Sequence, residues 1–153
     1  MNTLKEIQEK YKNQVPTPIF DIVRDLDLTI YATDEFSQEQ SGSICNENNK
    51  FVIYLNALHP KTRQLFTLAH EIGHYILHKH KLKKEHIDTV KQPINGHPTL
   101  NRKRKTKLTA DEEQMEIEAN EFAAKLLMPK EVFEKIWNEA DSIEEVAEKF
   151  NVS

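Results

Sequence analysis

The sequence predicts an α+β fold, a small antiparallel or mixed three-stranded sheet packed on two long helices. Three observations predict it. Residues 28–56 hold three short runs of β-branched and aromatic side chains, LTIYA, SGSIC and KFVIYLN. Apolar residues recur at helical spacing from Lys61 to about Lys79. The same spacing returns from about Ala110 to Leu127, interleaved with carboxylates.

The elements follow in order. Leu4, Ile7 and Tyr11 share one helical face, so residues 3–14 read as a helix that the Pro16-Thr17-Pro18 turn ends. A second short helix runs to about Asp25. The second and third β runs are separated by Asn46-Glu47-Asn48-Asn49, a turn-prone stretch, and a largely antiparallel sheet is expected. Pro60 suits the first turn of the long helix that follows. Residues 81–110 lose periodicity and contain Pro93, Gly96 and Pro98, with a cationic run over residues 101–107. A loop of that length is unusual in a compact domain and is where specificity is expected; the ordinary explanation of the cationic run is a solvated surface. After the second long helix, Pro129 stops the pattern, and a C-terminal helical tail over 130–153 contains helices near 130–138 and 142–149.

Bulk properties narrow the function. With 153 residues and 38% hydrophobic composition, residues 1–153 are expected to form one domain with a real core. A formal charge of -4 and a pI near 6.0 give no general attraction to nucleic acid or membranes, so neither is an expected partner. The start, MNTLKEIQEKYK, lacks the apolar stretch of a secretory signal, and nowhere do 18 apolar residues run together, which predicts a cytoplasmic protein. Cys45 is the only cysteine, which excludes an internal disulfide and a Cys-rich zinc knot. Metal ligands would have to be His and carboxylates.

The run His70-Glu71-Ile72-Gly73-His74 supplies such residues. At about 100° per residue, His70, His74 and His78 fall at about 0°, 40° and 80°, with Leu65, Ala69, Ile72 and Ile76 between about 200° and 260°. The imidazoles are therefore expected to point away from the buried face. Two histidines one turn apart leave the helix roughly 6 Å apart and can both reach one zinc ion. Glu71 lies about 100° round from His70, too far for an obvious ligand but bordering the same stripe, the general-base position of an HExxH peptidase. Gly73 costs the helix roughly 1 kcal/mol relative to Ala, which predicts close approach of another backbone.

A hydrolytic zinc site needs a third protein ligand and an open position. The second long helix offers Asp111, Glu112, Glu113, Glu116, Glu118 and Glu121. With Glu116 at 0°, Met115, Ala119, Phe122, Ala123, Leu126 and Leu127 occupy an arc from about 240° to about 20°, and Glu116 lies inside it. Glu118 and Glu121 join Gln114 and Lys125 on the polar face and are expected at the surface. A carboxylate on an apolar stripe is costly unless a cation pairs with it, so Glu116 is the candidate third ligand. Asn120, beside it, is placed to accept a hydrogen bond from a ligand histidine's Nδ1–H; its alternative is a plain surface amide.

Arg63-Gln64-Leu65-Phe66-Thr67-Leu68-Ala69 ahead of His70, and Glu116 with Ala119-Asn120, Phe122-Ala123-Ala124 and Leu126-Leu127-Met128-Pro129, closely resemble the ImmA/IrrE family of metallopeptidases. The similarity covers roughly residues 15–129, and residues 143–153 look like the family's tail. The resemblance implies a minimal thermolysin-like, zincin-type fold, Zn2+ held by His70, His74 and Glu116 in gluzincin fashion, and Glu71 as catalytic base. Family members commonly act on a DNA-binding repressor encoded beside them, of a mobile element, prophage or stress regulon, which implies a protein substrate. Such chains often continue beyond the counterpart of Val152-Ser153, so the tail is expected to be trimmed or completed by a partner. The segment between His74 and Glu116 is long for the family.

The expected reaction is metal-assisted amide hydrolysis with Glu71 moving the proton. His78, His97 and Tyr75 are candidates to stabilise the oxyanion, each with a packing or surface role as the alternative. Phe51-Val52-Ile53-Tyr54-Leu55 is a candidate sheet edge for a substrate strand, its alternative being an interior strand. The rival to an enzyme is a zinc-bearing regulatory or antitoxin-like module that binds a transcription factor or toxin without cutting it. Residues 143–153 as the start of a helix-turn-helix would lack a recognition helix.

Overall fold

The computed structural model describes residues 3–12, 14–88 and 108–152. The order is α1 (Leu4–Lys10), α2 (Ile19–Asp25), β1 (Thr29–Thr33), β2 (Gly42–Glu47), β3 (Lys50–Asn56), α3 (Lys61–Asp88), α4 (Ala110–Leu127), α5 (Lys130–Glu139) and α6 (Ile143–Phe150). The fold is α+β, as the periodicities predict.

α1 is shorter than the expected 3–14. Thr3 caps it by accepting from the Glu6 N–H at 3.2 Å, and it ends where Lys10 and Tyr11 both turn to Asp25 at the end of α2. The Lys10 Nζ to Asp25 Oδ2 distance is 2.6 Å. This ties the two helices together at a point where apolar spacing alone would have carried the first one on.

The sheet is mixed, with order β1-β3-β2. β2 and β3 form an antiparallel hairpin in register from Gly42↔Leu55 to Glu47↔Lys50, and β1 runs parallel to β3 from Thr29↔Val52 to Thr33↔Asn56. Asn48 and Asn49 close the hairpin at φ 53° and 68°, the left-handed pair that a two-residue turn of this twist requires. β3 is therefore the central strand, and the expected substrate edge at Phe51–Leu55 is not an edge. Phe51, Ile53 and Leu55 belong to the main core, while Val52 and Tyr54 pack with Phe36 and Cys45 in a second cluster. Burial on both sides is why the run is continuously apolar, a pattern of interior strands.

α3 packs against β2, β3 and α4. Leu68, Ala69 and Ile72 join Ile44, Ile53 and Leu55 in the core, together with Phe122, Ala123, Leu126 and Leu127 of α4. β2 is pressed closely on α3, since a Cβ on Gly42 would lie 2.7 Å from Thr67 Cγ2. α3 runs to Asp88 rather than Lys79, with a break in helical geometry at His78 (φ -125°, ψ 15°). The helical part of 81–110 thus reaches Asp88, and the cationic run at 101–107 lies outside the described residues. α4 begins with a reciprocal cap between Thr109 and Glu112, each contact 3.2 Å, which fixes the register of the helix that faces α3. Val146 and Phe150 anchor α6, with Phe150 against the Phe133 ring of α5. Among the described residues, no helix is long and apolar enough to cross a membrane.

Candidate metal centre

α4 covers the histidine stripe of α3, so the imidazoles, turned from the apolar face of their own helix, are enclosed by the next one. His74 and His78 are buried and His70 nearly so. The wheel separates an apolar from a polar face; it does not tell that a second helix will cover the polar one.

His70 Nε2 lies 2.9 Å from Glu116 Oε2, and His74 Nε2 lies 3.2 Å from Glu116 Oε1. The two rings are edge to face, with centroids 4.6 Å apart. On the far side of the first ring, His70 Nδ1 is 2.7 Å from Asn120 Oδ1. Glu71 is 6% exposed, and one of its carboxylate oxygens stands within 4.8 Å of a ring nitrogen of both His70 and His74. Glu116 is less enclosed than its helical position suggests, with 41% of its side chain exposed, yet both its oxygens are turned to the rings.

This donor set suits a cation. Asn120 Oδ1 can only accept, so it takes the proton of His70 Nδ1 and leaves a lone pair on Nε2, facing a carboxylate oxygen. Two lone-pair atoms at that separation repel unless a positive charge lies between them. A proton or a metal ion meets that need. Burial alone would lower the His70 pKa, but its hydrogen bond to Glu116, aided by the Glu71 and Glu116 charges, raises it above the usual value. For Glu116, burial works upward, and the hydrogen bonds from His70 and His74 outweigh it and hold the carboxyl far below the usual carboxylate range. His70, His74 and one carboxylate are a donor set that zinc takes in open hydrolytic sites.

A family model described as Peptidase M78, IrrE N-terminal-like domain, matches residues 23–153. The chain belongs to this family. It is a metallopeptidase family, and the His-Glu-His cluster of this IrrE-like domain fits a metal ion. No curated protein matches the chain. A solved structure titled "Mycobacterium tuberculosis transcriptional regulator" is similar in fold, with a TM-score of 0.59 at 14% identity. The match covers 98% of this chain and 42% of that one, so the IrrE-like domain spans less than half of that structure's length.

One contact near the site was not foreseen. Glu118, expected on the open face of α4, keeps 45% of its side chain exposed there and still places Oε1 3.0 Å from Nε2 of His78. His78 in turn places Nδ1 3.0 Å from Nδ1 of His74. The sequence did signal His78, which continues the stripe of His70 and His74; nothing in the α4 pattern signalled Glu118. Both ring nitrogens of His78 are thus engaged, which removes it as an oxyanion group. Tyr75 packs its ring on Phe51, centroids 5.1 Å apart, and receives Lys79 Nζ at 3.5 Å. His97 lies outside the described residues. Gly73 is explained by the Phe122 side chain rather than by a backbone, because a Cβ there would meet Phe122 Cβ and Cδ1 at 3.1 Å.

Proposed function

We propose that residues 1–153 form one zinc-dependent endopeptidase domain that hydrolyses a peptide bond in a partner protein, a helix-turn-helix transcriptional repressor in the cytoplasm. His70, His74 and Glu116 hold the Zn2+, Asn120 orients His70, and Glu71 is the general base. The observation that carries this reading is the convergence of two Nε2 atoms on the two oxygens of one carboxylate, with a second, buried carboxylate beside them. The repressor as substrate rests on the ImmA/IrrE resemblance.

When bound, zinc supplies Lewis-acid polarisation of the scissile carbonyl and a more acidic water. Glu71 takes a proton from the attacking water as its oxygen bonds to the carbonyl carbon. The same carboxyl then delivers that proton to the departing amine nitrogen as the C–N bond breaks. Asn120 holds the His70 ring in one tautomer and one orientation throughout.

The test is incubation of the zinc-loaded protein with the repressor encoded beside it, with and without chelator. Two repressor fragments in the chelator-free arm alone are expected. An intact repressor held in a stable complex in both arms would overturn hydrolysis and leave the binding module.

A further inference from the structure

We propose that Glu118 and His78 are a positioning pair that fixes the tautomer and direction of His74, so that its Nε2 lone pair is presented to the metal. This rests on the reading of His70, His74 and Glu116 as ligands.

The argument runs from the carboxylate inward. Glu118 Oε1 lies 3.0 Å from His78 Nε2, and a carboxylate only accepts, so the proton of the His78 ring sits on Nε2. A neutral imidazole has one N–H, which makes His78 Nδ1 an acceptor. It faces His74 Nδ1 at 3.0 Å, so the hydrogen between the two rings belongs to His74. His74 then carries its own proton on Nδ1, and its Nε2, the atom turned to Glu116 at 3.2 Å, is left to take a cation there, the proton it shares with Glu116 or the metal that replaces it. The pair gives His74 what Asn120 gives His70, and both supports end on α4, the helix that carries Glu116, directly at Asn120 and through His78 at Glu118.

The surroundings favour such a fixed chain. His78 is 5% exposed, so its ring is held by packing as well as by its contacts with Glu118 and His74. Glu118 keeps 45% of its side chain exposed, so its charge stays hydrated while one oxygen reaches the ring, and little desolvation opposes the contact. The helical geometry of α3 is interrupted at His78 itself, so the ring's direction is not the one an unbroken stripe would impose. Outer partners of metal-bound imidazoles typically change metal affinity about 10- to 100-fold when removed.

Two measurements on the full chain test this. In the zinc-loaded wild type, nitrogen-15 spectra are expected to show His78 protonated at Nε2, with a coupling across the hydrogen bond between the two Nδ1 atoms. Zinc dissociation constants, from competition with a chromogenic chelator, are expected to weaken about 10- to 100-fold in Glu118→Ala and His78→Gln. Glu118→Gln, which keeps an acceptor oxygen, is expected to bind near the wild-type level. The Glu118→Ala, His78→Gln double variant is expected to bind no worse than the weaker single one. Unchanged affinity in Glu118→Ala, or His78 protonated at Nδ1, would overturn the pair while leaving the three ligands in place. Absence of stoichiometric zinc binding by the wild type would instead remove the ligand reading itself. If a variant fails to fold, the wild-type spectra decide.

Discussion

Gly73 of α3 lies directly under Phe122 of α4, so close that a methyl group at position 73 would sit 3.1 Å from two carbons of that side chain. One of them, Cβ, is anchored to the α4 backbone and cannot swing away. The contact sets how near α4 comes to α3, and with it the reach of Glu116 to His70 and His74.

Gly73→Ala is therefore expected to destabilise the metal-free protein. Helix propensity would gain about 1 kcal/mol, against about 1–3 kcal/mol for overpacking, leaving a net loss on the order of 1 kcal/mol. Urea midpoints of the chelated protein measure it. A more stable variant with unchanged zinc affinity would mean that α4 yields freely.

Glu71→Gln is expected to bind zinc at the wild-type level and to lose cleavage by about 10² to 10⁴. Metal analysis alongside a fragment assay checks both halves. Full cleavage by a zinc-loaded Glu71→Gln protein would remove the residue from the chemistry.

Asn120→Ala is expected to weaken zinc binding about 10- to 100-fold by releasing the His70 ring. Glu116→Ala removes the proposed third ligand and is expected to abolish stoichiometric binding at neutral pH. Zinc should accordingly raise the thermal midpoint of the wild type and leave that of Glu116→Ala unmoved.

Acid sensitivity is expected from the α1–α2 junction. Hydrogen bonds from Lys10 and then Tyr11 hold the Asp25 carboxyl below its usual range. A depressed carboxyl contributes stability that is present above the unfolded-state value, about 3.9, and lost as the pH falls through the folded one. Asp25→Asn should therefore be less stable than wild type at pH 7, with the difference shrinking as the pH drops below about 4. Urea midpoints across that range decide; a constant difference would assign the effect to something other than ionisation.

Local signals were legible where local physics decides. The three β runs, the bounds of α4 and the turn at Asn48-Asn49 follow from side-chain periodicity and from residues that tolerate positive φ. The position of Glu116 between Ala123 and Leu127 on the helical wheel pointed to α3, and that is where its carboxylate lies. What depends on the rest of the chain was not legible. The parallel pairing of β1 with β3 is a tertiary choice, and it turned a candidate edge at Phe51–Leu55 into the centre of the sheet. Glu118 reads as a surface charge, which at 45% exposure it is, but the apolar pattern of α4 carries no trace of the buried His78 it meets.

His74 and Glu116 are 42 positions apart in the chain. An ion gripped by both is a clasp across a wide ring, and the entropy of closing such a ring grows only with the logarithm of its size, by about 0.6 kcal/mol for each doubling. Insertions and deletions between the two helices would therefore scarcely loosen the clasp. Lineages could lengthen or rewrite that span to suit new targets while the grip on the ion stays the same.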